Sequence, residues 1–388
     1  MRNLLLLMVW LLPVCFCAKA QRKTIPVFVS GTEGYKSFRI PAILRLPNGD
    51  LLAFAEGRIK GANDYGNIDI VLKRSSDGGN TWSALRVVAD NDTLQAGNPA
   101  PVLDMLDPAW PKGRLFLFYN PGDAHERDIK EGKGTRQCCY KTSTDNGDTW
   151  SEPVNITTQV HRLLRPQLNP EWNFADDWRW YANTPGHAFQ TQQGKYKGRL
   201  YIAANHTGPA PTAKGWDYDA HAYFTDDHGK TFHLSNTLQV PGSNEATAAP
   251  LSGNRVMINA RNQGAGKRTR IAGFSSDGGE HWDTTYFDAQ LPDPACQGSL
   301  LTIGTKKGKA ILAFSNEAAV SRRDSLTLRI SFDEGLTWPQ QYLIDADPSI
   351  KANTAYSDIV LLKKNTIGIL YEKDNYKTIL FTVIKVQR

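Results

Sequence analysis

The sequence predicts an all-β fold, a six-bladed β-propeller, on three observations. A short phrase recurs five times: SSDGGNTW from Ser75 to Trp82, STDNGDTW from Ser143 to Trp150, TDDHGKTF from Thr225 to Phe232, SSDGGEHW from Ser275 to Trp282 and SFDEGLTW from Ser331 to Trp338. Each copy follows an apolar, β-branched run, such as Ile68 to Leu72 or Leu326 to Ile330. The composition, with 32 Gly, 21 Pro and 10% aromatic residues, suits short strands joined by turns. Repetition of one supersecondary unit sets the architecture before any other feature.

The phrase has its own turn chemistry. Its aspartate accepts hydrogen bonds from backbone N–H groups in a tight turn. The glycine two residues later takes positive φ at little cost. The tryptophan opens the next strand and packs between sheets. Turn chemistry therefore accounts for these aspartates, and a catalytic or metal site needs no such repetition. Successive aspartates lie 50 to 82 residues apart, a spacing that suits four-stranded blades with long insertions.

The chain has 388 residues, 40% hydrophobic and 22% charged, an ordinary globular composition. Length alone allows two or three domains, but the repeat argues for one unit over residues 21–388. Residues 1–20 read as a signal peptide: Arg2, the apolar run Leu4 to Leu12, then Ala18-Lys19-Ala20 as the cleavage site. Export to the periplasm or medium is expected. Lipid anchoring through Cys15 or Cys17 is disfavoured by Val14 and Phe16. No later stretch is long and apolar enough for a membrane span. Cys138, Cys139 and Cys296 form neither a zinc pattern nor a disulfide framework. The adjacent pair should point to opposite faces of a strand as packing residues. A net charge of +6, with Lys and Arg scattered, implies no nucleic-acid partner. A monomer is expected.

Taken in order, Thr24 to Ser30 reads as a strand without a near partner, and Thr378 to Val386 as another. Pairing of these two would close a propeller. Arg39 sits in Phe38-Arg39-Ile40-Pro41 and reads as a buried, inward-facing arginine, which requires a carboxylate partner. Glu56-Gly57-Arg58 ends a strand, and Asp64 follows in a glycine-bounded loop. Asn98 opens the next blade in Asn98-Pro99-Ala100-Pro101. Residues 162–192 are irregular and aromatic, with Trp172, Trp178 and Trp180. They form core packing or a stacking platform that Trp216 and Tyr218 could join, and both readings stay open. His187 and His206 lack metal-ligand spacing, so no metal is expected. Glu245 precedes a strand that leads to Arg261, Arg322 and Arg323 are adjacent, and Tyr356 opens the last inner strand in Tyr356-Ser357-Asp358.

The F-R-I-P phrase followed by repeated S-x-D-x-G-x-T-W resembles the sialidase (neuraminidase) family of bacterial exo-α-sialidase type, from Phe38 to about Leu370. The resemblance implies an acid/base at Asp64, with Arg58 beside it, and a sugar contact at Asn98. It implies a nucleophilic tyrosine at Tyr356 with Glu245 as its base. The pattern R-x-x-L-T selects Arg323, with Arg322 the fallback. Arg39, Arg261 and Arg323 would clamp the carboxylate of a sialic acid, a task for which a planar, permanently charged fork suits. Sialidases are a known exception to the two-carboxylate scheme of glycosidases. A neutral phenol avoids facing the substrate's own carboxylate, but with a free pKa of about 10 it needs a base. The implied substrates are sialylated glycoproteins, glycolipids or oligosaccharides, with no cofactor. Transfer of sialic acid, release of an anhydro product, and a non-catalytic carbohydrate-binding propeller are the alternatives.

Overall fold

Runs of Val, Ile, Leu and Phe broken by Gly and Asx turns fold into antiparallel meanders, as packing on pleated strands favours. A computed structural model describes residues 23–209, 218–264 and 266–387. The leader expected over residues 1–20, and Trp216 of the aromatic group, lie outside the described residues. Apart from two short helical turns, Glu126–Lys130 and Thr157–Val160, the described elements are strands. They form five hydrogen-bonded sheets in an all-β, propeller-like arrangement.

Two sheets are sequential four-stranded meanders, one from Ser243–Pro250 to Thr284–Pro292 and one from Ser299–Lys306 to Gln340–Asp345. A third gathers Tyr181–Asn183, Phe189–Gln190, Leu200–Thr207, Tyr218–Thr225 and His233–Leu234. The largest runs from Ser37–Arg45 to Val154–Asn155, and its two halves meet at one parallel pair, Ile68 opposite Gln95. In the last sheet Thr24–Val29 pairs antiparallel with Thr378–Lys385, Thr24 lying opposite Thr382. This is the end-to-end pairing expected from the sequence.

The strands Ser37–Arg45, Gln95–Asp104, Ser243–Pro250, Ser299–Lys306 and Thr354–Lys363 lead their meanders and approach one another at the centre. Tyr181–Asn183 and Phe189–Gln190 fill the gap beside Gln95–Asp104. Asp358 ties this centre together and is fully buried. Its carboxylate accepts from the N–H groups of Ile43 (2.8 Å), His187 (3.0 Å) and Ile359 (3.0 Å) and from the Ser299 hydroxyl (2.7 Å). It also pairs with His187 Nδ1 at 2.7 Å. Burial opposes a charge on His187, but the Asp358 carboxylate outweighs it and raises the imidazole above its ordinary pKa.

Buried apolar side chains collect between successive sheets. Phe28, Ile43 and Leu51 pack against Leu370 and Phe381, and Met257 and Ala272 against Leu312, Phe314 and Trp338. Cys138 and Cys139 fall in two different clusters, as side chains on opposite faces of a strand should, and both are free thiols. Trp82 meets Phe381 edge-on at 5.5 Å, so the tryptophan of the repeated phrase does pack between sheets. Gly79 (φ +92) cannot be replaced there, since a Cβ would fall 2.1 Å from the Phe381 ring.

All five phrases build the same turn. Asp77 accepts from the Ser75 and Thr81 hydroxyls and from the N–H groups of Asn80 and Thr81. Asp145 and Asp227 repeat this set, Thr225 replacing the serine at the latter. At Asp277 the His281 ring stands in for the threonine hydroxyl, and Asp333 keeps Ser331 and Thr337. At Asp145 burial pushes the carboxyl upward, but the bonds from Thr149, Ser143 and the Asp148 N–H outweigh it and hold it at about 2. A depressed carboxyl stabilises the fold above its unfolded pKa and loses that contribution as pH falls through the folded value. Asp145→Asn should therefore melt a few degrees below the wild type near neutral pH, and the gap should shrink between about pH 4 and about pH 2. Thermal melts of both proteins across that window check it, and a gap that persists unchanged at low pH would rule out the carboxylate as its source.

Candidate active site

The inner strands carry their chemistry in bulges. Two residues of the inner strand face one of its neighbour between Arg39 and Ala42, Gly97 and Ala100, Ser243 and Ala246, and Thr354 and Ser357. Ile40-Pro41, Asn98-Pro99, Asn244-Glu245 and Ala355-Tyr356 occupy equivalent places in these four bulges. A bulge re-aims side chains that a regular strand would direct elsewhere, and here it presents Asn98, Glu245 and Tyr356 to one cavity. Ile40 and Asn98 take φ of 58° and 56°. That conformation costs a β-branched residue about 1–2 kcal/mol. The Ile40 N–H is held by Glu372 Oε1 (2.9 Å) and the Asn98 N–H by Glu56 Oε1 (2.8 Å).

One cavity is lined by Arg39, Arg58, Asp64, Asn98, Glu245, Arg261, Arg323 and Tyr356, so all eight residues named from the sequence converge. Tyr356 Oη donates to Glu245 Oε1 at 2.5 Å, while Arg261 Nη1 reaches Glu245 Oε2 (2.7 Å) and Tyr356 Oη (3.1 Å). Burial and Glu245 raise the Tyr356 phenol well above its usual pKa, against the pull of Arg261 and Arg323, so it is a phenol in the empty site. Arg39 binds Glu372 Oε1 through Nε at 2.7 Å and lies 3.9 Å over the Tyr376 ring. Glu372 is the carboxylate that a buried Arg39 demands, and it lies 333 residues away in the chain. Arg323 donates to Tyr376 Oη (3.1 Å), whereas the half-exposed Arg322 pairs with Asp324 (3.2 Å) outside the cavity. Arg323 is thus the arginine that faces the site.

Arg58 binds Glu56 through Nε and Nη2 (3.0 and 2.6 Å) and Asp64 Oδ1 through Nη1 (2.8 Å). Asp64 is 71% exposed at its side chain, at the cavity mouth. What burial it has pushes its carboxyl up, but Arg58 and Arg39 prevail and hold it below the ordinary carboxylate range. Asn98 Oδ1 accepts from Arg136 Nη2 at 2.6 Å.

Arg136, Glu372 and Tyr376 were not legible as site residues. Arg136 is fully buried, stacked 4.2 Å over Trp180, and lines the cavity. Nothing around Arg136 in the sequence distinguishes it, and Tyr376 lies in a turn between strands. The aromatic segment divides: Trp180 and Tyr218 line the cavity, while Trp178 stacks on His206 at 3.5 Å in the interior and Trp172 is buried elsewhere. Among the described residues, the groups with carboxylates and imidazoles close enough to hold a metal are Asp104–Asp107–His228 and Asp277–Glu280–His281, and neither lines this cavity.

The family model for a BNR repeat-like domain matches residues 49–369. A sialidase of Micromonospora viridifaciens is 31% identical over 89% of this chain and 51% of its own length. An exo-alpha-sialidase of Arthroderma benhamiae is 30% identical over 89% of this chain and 80% of its own. The solved structure of the Hadza microbial sialidase Hz136 superposes with a TM-score of 0.75 at 25% identity, covering 92% of this chain and 67% of that one. The chain thus spans about half the length of the Micromonospora relative. No described helix is long and apolar enough to cross a membrane. With a BNR match over most of its length and a 30% identical relative covered for four-fifths of its length, the chain belongs to the sialidase family.

Proposed function

We propose that this protein is a retaining exo-α-sialidase that releases terminal sialic acids from glycoproteins, glycolipids or oligosaccharides. The observation that carries this reading is the contact of the Tyr356 phenol with Glu245 and Arg261, in a cavity that also holds Arg39, Arg323 and Asp64. The three arginines would receive the substrate carboxylate and so place the anomeric carbon over Tyr356. In the first step Tyr356 Oη bonds to that carbon, its proton passes to Glu245, and Asp64 protonates the departing oxygen. In the second step Asp64 takes a proton from water, the water oxygen bonds to the anomeric carbon, and Glu245 returns its proton to the phenolate. Two inversions give retention.

Asp64 is ionised in the empty site, held so by Arg58 and Arg39. A bound carboxylate would neutralise part of the Arg39 field, and a covering aglycone would desolvate Asp64. Both changes favour the protonated form that the first step needs. We also read the architecture as six blades, counting the halves of the eight-stranded sheet separately. The single pair that joins those halves supports this count, as do the apolar clusters at successive interfaces around the ring. Residues 21–388 would form one catalytic unit, monomeric and exported by the leader.

A fluorinated sialosyl fluoride tests the mechanism, because fluorine slows breakdown of a covalent intermediate. Peptide mapping should place the adduct on Tyr356, Tyr356→Phe should lose it together with retaining turnover, and NMR should show α-sialic acid released first. An adduct on Glu245 or Asp64 would overturn the assignment. Asp64→Ala should impair natural glycosides far more than aryl sialosides, whose leaving groups need little protonation. Equal losses on both would remove Asp64 as the acid. Arg261→Ala or Arg323→Ala should weaken binding of a sialic-acid analogue about ten- to a hundredfold, by calorimetry, as expected for a lost charge-assisted contact. Arg322→Ala should change it less than about twofold.

A further inference from the structure

The strand that follows each inner strand carries a polar residue two places beyond its last regular pair before the bulge. Glu56 holds this position beside Arg39, Asn120 beside Gly97, Asn262 beside Ser243 and Lys373 beside Thr354. Each of the four is satisfied. Glu56 takes Arg58 and the Asn98 N–H, and Asn120 takes the Asn183 N–H and donates to Gln137. Asn262 bonds Lys267 and Gly264, and Lys373 bonds Asp345 and Asn353. In the sheet led by Ser299–Lys306 the same count, from Ser299 opposite Ser315, reaches Glu317. Glu317 is fully buried, no side-chain nitrogen or hydroxyl reaches either carboxyl oxygen among the described residues, and the donors that act on it are the Cys296 thiol and its own backbone N–H.

Its surroundings connect it to the clamp. Cys296, Arg323 and Asp293 are the ionisable groups that act on it. Asp293 is itself engaged by Arg270 (3.3 Å) and the Asn262 N–H (2.8 Å), and Cys296 packs against Tyr356 and Ile40. Cys296 is held as a thiol by burial. Arg39 has Glu372 and Arg261 has Glu245 as counter-ions. Among the described residues Arg323 makes no ion pair: it donates to the Tyr376 hydroxyl and the Ala295 carbonyl, at 3.1 and 3.5 Å, and lies 5.4 Å over the Tyr356 ring.

We propose that Glu317 is a positioning residue of the carboxylate clamp: buried opposite Leu326 at the base of the hairpin that carries Arg323, with no ion pair to it, it leaves that guanidinium without a counter-ion and open to an anionic ligand. The proposal rests on the clamp reading given above. Burial pushes the Glu317 carboxyl up to about 8, against the pull of its own backbone, Cys296 and Arg323. Below that value the acid is neutral and Arg323 keeps its full field for the substrate. Above it Glu317 becomes anionic and competes with the substrate carboxylate. The effect falls on binding, because the carboxylate is clamped equally before and during the chemical step.

The test is KM and kcat for an aryl α-sialoside between about pH 6.5 and about pH 9.5, in the wild type and in Glu317→Gln, which fixes the neutral state. Wild-type KM should rise at least threefold, roughly, over the upper part of that range while kcat holds, and E317Q should keep the neutral-pH KM throughout. An E317Q profile that rises like the wild type, or an E317Q KM already about tenfold higher near neutral pH, overturns the proposal. If E317Q does not fold, the wild type decides alone: calorimetric affinity for free sialic acid should fall over the same pH range, and a flat affinity overturns it. A wild type that binds no sialic acid at neutral pH overturns the clamp reading itself, a different failure from a bound ligand with flat pH dependence.

Discussion

A single buried carboxylate, Asp358, holds the centre of this molecule. Its donors come from the strand Ser37–Arg45, from His187, from Ser299 and from its own strand. A carboxylate in such a place is tolerable only when its lone pairs are occupied, and the His187 ring, whose pKa it raises, takes up one of them. Asp358 is two residues from Tyr356 on the same strand, just past the bulge that carries the phenol. The network that fixes the centre therefore fixes the strand that carries the phenol. The polar core at this level is structural, and the polar cavity above it is chemical.

The equivalent bulges explain how a repeated fold yields a site without repetition. One backbone position carries Pro41, Pro99, Glu245 and Tyr356 in turn. The backbone solution is shared, and only the side chain differs. Glu56 and Glu372 each cap the N–H of a strained bulge residue while pairing with an arginine. One carboxylate thus supports both the unusual φ and the direction of a guanidinium, so the geometry of Arg39 and Arg58 is built into the strands beneath them.

Much of this was legible in the sequence because the relevant physics is local. A turn needs its Asp, Gly and Thr within a few residues, so five copies of that chemistry announced the meanders. Arg39 announced its need for a partner, since an unpaired buried guanidinium is costly. Which carboxylate it meets was not legible, because Glu372 arrives only through the pairing of distant strands. The division of Trp172, Trp178 and Trp180 between interior and cavity was hidden for the same reason: the segment is irregular, and no period says which ring faces where. Arg136 gave no local signal. It is placed by a single antiparallel bridge to Gly122 and lies over Trp180.

The pairing of Thr24–Val29 with Thr378–Lys385 carries a consequence for biosynthesis. Residues that meet across this seam lie far apart in the chain, 359 positions in the case of the bond from the Thr382 hydroxyl to the Lys23 carbonyl. Arg39 is made 333 residues before Glu372, so a nascent fragment that stops short of Glu372 lacks the counter-ion of its own buried arginine. Contacts of such long sequence separation form late and slowly. The nascent chain must therefore carry an exposed strand edge and an uncompensated cation until residues 372–385 have emerged. Folding of the seam and assembly of the site become one event, so a chain that has not closed has no half-built site to misuse.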